Sequence, residues 1–324
     1  MALSTRLTEQ LGIKHPIISA PMAMAAGGRL AAAVSGAGAF GFIGGGYGDA
    51  TWLETQFREA GNAQVGCGFI TWSLRNKPEL LTQVLDKKPR AVFLSFDDPE
   101  PFASEVRASG AVLMCQVQTL RDAQRALDVG ADVVVAQGAE AGGHGAKRAT
   151  ITLVPEIVDL VRRVKSEALV CAAGGIADGR GLAAALMLGA DGVVVGSRFW
   201  ASREALVHKT LHDVALIATG DDTVRQSVTD IVRGHAWPEP YDIRVVRNAY
   251  VNDWVGRERE LRQVAAVERE RYAAALIEAD ATVAAAIAGE ATGLIHDIVP
   301  AAEIVERMIA EAVVAMQSGV RHIG

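Results

Sequence analysis

Several features that would place a protein quickly are missing from this chain. No apolar run approaches the roughly 20 residues that span a bilayer, so no membrane is expected as a partner. The opening Met1-Ala2-Leu3-Ser4-Thr5-Arg6 has no basic stretch followed by an apolar core, so no secretory leader is expected. The 32 lysines and arginines are interspersed with 38 aspartates and glutamates rather than clustered, and the net charge of −6 argues against nucleic acid as a partner. Cysteine is scarce: Cys67, Cys115 and Cys171 are odd in number, far apart, and form no C-x-x-C pair. Each lies in an apolar, strand-like run. They are expected to be buried, reduced thiols in a cytoplasmic protein.

What is present is apolar sequence in a regular rhythm. At 324 residues and 50% hydrophobic, the chain can bury one large domain and a smaller one. Short β-branched runs at 15–19, 39–43, 64–70, 91–96, 111–117, 132–137, 168–173 and 192–196 read as eight strands. Helical patterns lie between them, for example over 27–35, 119–129, 155–165 and 179–188. Continuous apolar strands separated by helices imply parallel strands covered by helices. Eight such units predict an α/β fold, a (β/α)8 TIM barrel over 1–219, with an open doubly wound sheet as the alternative. The rhythm breaks near Thr219. Residues 220–290 read as a second, smaller, mainly helical domain, with Glu258 and Arg262 at i,i+4 spacing on an exposed face. The segment 291–324 holds a helical pattern over 302–316 expected to pack back on the barrel.

The stretch Gln137-Gly138-Ala139-Glu140-Ala141-Gly142-Gly143-His144-Gly145 follows the apolar strand 132–137. Its glycines allow the backbone to approach a ligand closely, and its one imidazole can move a proton near neutral pH. It reads as a flexible loop on an active-site rim. Gly36-Ala37-Gly38-Ala39-Phe40-Gly41 matches G-x-G-x-x-G, but it closes a helix and leads into a strand, the reverse of the dinucleotide-binding order. A helix end and tight turn are expected there instead. Ala172-Ala173-Gly174-Gly175-Ile176 and Val195-Gly196-Ser197-Arg198 end the seventh and eighth strands, where barrels of this kind often bind phosphate through exposed backbone N–H groups.

Three segments, Gln137-Gly138-x-Glu140-Ala141-Gly142-Gly143-His144, Ala173-Gly174-Gly175-Ile176-Ala177-Asp178-Gly179 and Val195-Gly196-Ser197-Arg198-Phe199, together resemble the nitronate monooxygenase family, formerly 2-nitropropane dioxygenases. The opening His15-Pro16-Ile17-Ile18-Ser19-Ala20-Pro21-Met22 and the later Trp237-Pro238 and Arg247-Asn248-Ala249-Tyr250 extend the resemblance over nearly the whole chain. It implies an FMN flavoprotein that oxidises alkyl nitronates, or nitroalkanes, with O2 to carbonyl compounds and nitrite. It implies that Gly174, Gly175, Gly196 and Ser197 hold the FMN phosphate, with Ala173 and Val195 also binding the cofactor. Ala20, Pro21 and Met22 would lie beside the isoalloxazine, and Gln137 and Gly142 would contact the cofactor. His144 matches the family's active-site histidine. No metal site is implied, and a homo-oligomer is left open. Two positions facing the cofactor depart from the family pattern: Gly68 stands where many relatives have asparagine, and Gln116 where some have lysine.

With an anionic nitronate, His144 is expected to orient the substrate; with a neutral nitroalkane, it would act as a general base. Glu140 is expected to accept backbone N–H bonds in the glycine loop. His208 and His212, at i,i+4, have metal-ligand spacing but no third ligand, and a solvated helix face is expected. His15 reads as a strand-edge residue, and Trp72 and Trp237 as pocket candidates. The rival readings are an FMN-dependent reductase fed by NAD(P)H, of the enoyl-acyl-carrier-protein or quinone reductase kind, a non-redox barrel lyase or synthase holding a phosphorylated substrate, and a flavin-binding protein without turnover.

Overall fold

The computed structural model describes residues 3–321. Its strands are β1 (Ile17–Ser19), β2 (Gly41–Gly46), β3 (Val65–Ile70), β4 (Ala91–Ser95), β5 (Val112–Val117), β6 (Val133–Gln137), β7 (Gly143–Gly145), β8 (Leu169–Ala173), β9 (Gly192–Val195), β10 (Thr223–Gln226) and β11 (Asp242–Val246). Eight of them form one parallel sheet in the order β1-β9-β8-β6-β5-β4-β3-β2. A bridge between Ile18 and Phe40 joins the two edges. There Ser19 N donates to Phe40 O at 2.9 Å and Phe40 N to Ile17 O at 2.9 Å, while the Ser19 hydroxyl accepts from Phe42 N at 3.1 Å. The sheet is a closed (β/α)8 barrel, as the eight apolar runs predict.

Alternation along the strands sorts the core into two layers. Ile18, Phe42, Phe93, Met114, Val133, Val135, Leu169, Cys171 and Val194 fill the barrel. Phe42 meets Phe40 and Phe93 edge-on, with ring centroids 5.1 and 5.4 Å away. Val134, Ala136, Val170, Ala172, Val193 and Val195 face outward onto the helices. The short helix Arg6–Leu11 closes the amino end of the barrel with Leu7 and Leu11, anchored by the Thr5 hydroxyl on Asp191 O at 2.7 Å. Burial pushes the thiols of Cys67 and Cys115 up to about 12, and the three cysteines are unpaired.

Several boundaries differ from expectation. The second strand begins at Gly41, because the preceding residues turn out of the helix Gly28–Gly36 and contribute only the closing bridge. The G-x-G-x-x-G segment is therefore a helix end, a turn at Gly38 (φ 85) and a strand start. The helix expected from Pro155 starts five residues earlier, over Thr150–Arg163, because the Glu140 carboxylate accepts from Thr150 N at 2.9 Å.

Residues 220–290 do contain helices, at Val228–Arg233, Ala249–Trp254, Glu258–Gln263 and Ala265–Glu278, packed around Tyr250, Leu261 and Tyr272. They also contain an antiparallel ribbon that a mainly helical reading leaves out. β10 pairs with β11, and β11 pairs with β7 from the barrel's sixth loop. The expected Glu258–Arg262 contact gives way to others: Glu258 accepts from Gly256 N, and Arg257 pairs with Glu260 at 2.6 Å. Among the described residues, no helix is long and apolar enough to cross a membrane.

The final helix, Ala301–Val320, packs on the barrel against the helix Gly179–Met187. Gly179 N donates to Glu311 Oε2 at 2.9 Å, and a Cβ on Gly179 would lie 2.3 Å from Ala312 N and 2.4 Å from Met308 O. Gly179→Ala should therefore cost about 1–3 kcal/mol, the usual penalty of overpacking. Urea denaturation checks this; an unchanged or raised midpoint would mean that the final helix is not held this closely.

Candidate active site

The carboxyl ends of the barrel strands open into a cleft with about 1250 Å³ of space, mouth included. One wall is backbone and glycine; the opposite character, aromatic and charged, comes from the loops and from residues 220–290.

His144 is not on a flexible loop. It is the middle residue of β7, paired with Ile243 of β11. The preceding turn is fixed by Arg225, whose guanidinium donates to the carbonyls of Ala139 (2.9 Å), Ala141 (3.1 Å), Gly145 (3.2 Å), Gly143 (3.4 Å) and Asp242. Arg244 adds a bond to Ala139 O at 3.1 Å and pairs with Glu290 at 2.9 Å. Burial and the nearby Arg244 charge pull Arg225 down to about 10, which leaves it a cation at neutral pH. Glu140 has the structural role expected, with a different partner. It accepts from the Thr150 hydroxyl (2.8 Å) and Thr150 N at a helix start, not from the glycine turn.

The His144 Nε2 lies 3.0 and 2.9 Å from the two carboxylate oxygens of Asp230, on the helix Val228–Arg233. Both side chains are buried, at 8% and 3% exposure. Burial holds the His144 pKa below its ordinary value, and this outweighs the raising effect of Asp230. At neutral pH the ring is therefore neutral. The carboxylate requires a donor, so the proton sits on Nε2 and the lone pair on Nδ1, which has no protein partner among the described residues. The ring stacks on Trp237 with centroids 3.4 Å apart and planes 9° from parallel. Phe96 meets both edge-on, at 6.2 and 5.0 Å. Phe96 (φ 62) and Asp97 (φ 143) are strained, a cost of about 1–3 kcal/mol each. Asp97 is held by Arg75 at 2.7 Å.

Trp237 lines the cleft and Trp72 stands behind it, edge-on at 5.4 Å. The Trp237 Nε1 donates to the Tyr47 hydroxyl at 3.0 Å, and Tyr47 in turn stacks on His235 at 3.8 Å. Burial raises Tyr47 to about 12 and lowers His235 to about 4.

On the other wall, Ala20, Pro21, Met22, Gly68, Gln116, Gln137, Gly142, Ala173, Gly174, Gly175, Gly196 and Ser197 all reach the cleft. Val195 does not: strand alternation turns it into the outer layer, and Val194 takes the inward place. Gly174 (φ 99) and Gly175 (φ 73) are left-handed. Among the described residues, the N–H groups of Gly174, Gly175, Gly196 and Ser197 have no protein acceptor. The Ser197 hydroxyl accepts from Gly289 N at 2.9 Å and keeps its own proton free. This donor set fits a phosphate. Gly142 is small for a different reason: a Cβ there would lie 2.5 Å from Ala288 C and Gly289 N. At Gly68 a Cβ would lie 2.3 Å from the Pro21 Cβ, so asparagine cannot stand there unless Pro21 moves. Gln116 and Gln118 both donate to the Gln137 side-chain oxygen, at 3.2 and 2.9 Å, so the free donor is the Gln137 amide nitrogen.

The sequence reading missed Asp230, Arg225, Tyr47, Phe96 and Gln118. It also misjudged His212, which is buried with Nε2 bonded to Trp200 O at 2.9 Å, while His208 caps the helix Lys209–Ile217. His15 is buried just before β1.

A parallel eight-stranded barrel with its cleft at the carboxyl ends of the strands is the architecture of (β/α)8 enzymes. The nitronate monooxygenase family model matches residues 4–66 and 71–311, and the chain belongs to that family of flavin-dependent oxidoreductases. It is 36% identical to a nitronate monooxygenase of Neurospora crassa, over 92% of this chain and 89% of that protein. It is 34% identical to the nitronate monooxygenase npaC of Metarhizium robertsii, over 95% and 93%. FabK from Thermotoga maritima superposes with a TM-score of 0.86 at 30% identity, covering 99% of both chains.

Asp230→Asn removes the charge that raises the His144 pKa. The imidazole should therefore titrate at still lower pH, read by NMR of the His144 ring. An unchanged or raised value would mean that Asp230 does not set the ring's protonation.

Proposed function

We propose that this protein binds FMN and oxidises alkyl nitronates, and nitroalkanes that it first deprotonates, with O2 to carbonyl compounds and nitrite. The observation that carries this reading is a neutral, carboxylate-anchored His144 facing a glycine-walled cleft in a chain of the nitronate monooxygenase family. FMN, when bound, supplies the redox chemistry. Gly174, Gly175, Gly196 and Ser197 would hold its phosphate. Ala20, Pro21, Met22 and Gly68 would lie beside its ring, with Gln116 and Gln137 as polar neighbours. The three buried, unpaired thiols support a reducing, cytoplasmic setting.

Because Nε2–H is given to Asp230, His144 presents an acceptor to the cleft. Toward a neutral nitroalkane, Nδ1 takes the proton α to the nitro group, and Asp230 stabilises the imidazolium that results. Toward a nitronate, already an anion, a neutral His144 has no proton to offer from Nδ1 and contributes little. The aromatic wall of Trp237, Phe96 and Tyr241 excludes water around the ring.

The likeness to FabK over both full lengths favours one second reading, a reductase fed by NAD(P)H. Anaerobic mixing of the yellow protein with propyl nitronate should bleach the flavin, whereas NADPH should not; rapid bleaching by NADPH alone would replace our reading with the second. His144→Ala should lose about 10²–10⁴ in rate with 1-nitropropane and much less with propyl nitronate. Equal losses with both would rule out a base at this position.

A further inference from the structure

If His144 is neutral and acts as an acceptor, an anionic substrate needs a cation elsewhere. Arg233 is the only lysine or arginine among the residues lining the cleft. It ends the helix Val228–Arg233, three residues after Asp230, with its guanidinium carbon 5.7 Å from the centre of the ring of Tyr47, the residue whose hydroxyl accepts from Trp237 Nε1. The charges around it are already committed. Asp230 gives both carboxylate oxygens to His144. His235 stacks on Tyr47 and is neutral. Arg269 approaches Gly234 and adds positive charge, not a partner. Among the described residues Arg233 has no ion pair and no hydrogen bond. The other arginines near the site, Arg225 and Arg244, are engaged with backbone carbonyls and Glu290. Gln116 supplies no charge, and Glu140 is bound to Thr150.

An arginine that lines a cleft unpaired keeps its planar fork of N–H donors for a ligand. A nitronate carries its charge on two oxygens in one plane, the shape that a guanidinium binds through two parallel bonds. We propose that Arg233 is the specificity-determining residue of this site: it binds the paired oxygens of a small planar oxyanion and so favours nitronates over neutral nitro compounds. This rests on the reading of the cleft as a nitronate site, but the binding of a planar oxyanion can be measured without turnover.

The probe is formate, a planar oxyanion transparent at the excitation wavelength of tryptophan. The holoenzyme is titrated with sodium formate at constant ionic strength, with the change in emission of its five tryptophans, of which Trp237 lines the cleft, as the signal. Wild type should saturate. Arg233→Gln should weaken formate binding roughly 10- to 100-fold, the range set by one charge-assisted contact, and Arg233→Lys should recover part of it. In steady-state kinetics the same loss should appear in KM for propyl nitronate, and KM for neutral 1-nitropropane should stay within about twofold. If formate binds Arg233→Gln as well as wild type, in protein with unchanged thermal unfolding, the proposal is overturned. Equal KM shifts for the neutral and anionic substrates would also overturn it, since a packing role predicts them. Formate binding that depends on Arg233, in an enzyme whose flavin propyl nitronate does not bleach, would support the anion site and reject the nitronate function.

Discussion

One half-buried guanidinium holds the site together. Arg225 reaches from β10 across β11 to four carbonyls of the turn between Ala139 and Gly145. A glycine-rich turn has little conformational preference of its own, and its carbonyls, once taken from water, need donors. Charge-assisted bonds to several of them at once define the turn and align β7 for pairing with β11. His144 then has a fixed direction, and Asp230 can meet its Nε2. The barrel supplies the floor of the cleft, while this cation joins the barrel to the ribbon that shapes its rim.

The electrostatics of the cleft follow from burial more than from charge count. The imidazole stays neutral even beside a carboxylate, because both groups lie out of water and a flat indole covers one face of the ring. Proton transfer and anion binding then fall to different residues, the first to His144 and the second to Arg233. Tyr47, between His235 and the Trp237 indole N–H, fixes the spacing of that wall. The strained backbone at Phe96 and Asp97 is tolerated where it sets an aromatic edge against His144 and Trp237.

The eight barrel strands were legible because parallel strands covered on both sides are continuous apolar runs; Val133 to Ala136 is an example, fully buried over its length. The glycine turn after β8 was legible for a related reason, since the left-handed backbone at Gly174 and Gly175 selects glycine. β10 and β11 were not. Each is short and carries an arginine at its centre, and Arg225 and Arg244 face each other in register. Such arginines interrupt the β pattern, yet here they reach inward to the site. Asp230 was hidden by distance, 86 residues from His144. A signal was present: an acid between Val228 and Val232, both buried, is a carboxylate on the apolar side of a short helix, where it requires a partner. Val195 is the opposite case: it adjoins a glycine turn, yet strand alternation points its side chain away from the cleft.

The span of these contacts has a further consequence. Tyr47 and Trp237, joined by one hydrogen bond, are 190 positions apart, and Asp230 and Trp237 both come after the last barrel strand ends at Val195. A chain emerging from the ribosome therefore carries every barrel strand before it carries either group that anchors His144. In that interval the mouth is open and its histidine unheld. The segment made after the last barrel strand turns an open bowl into a chamber with a defined doorway.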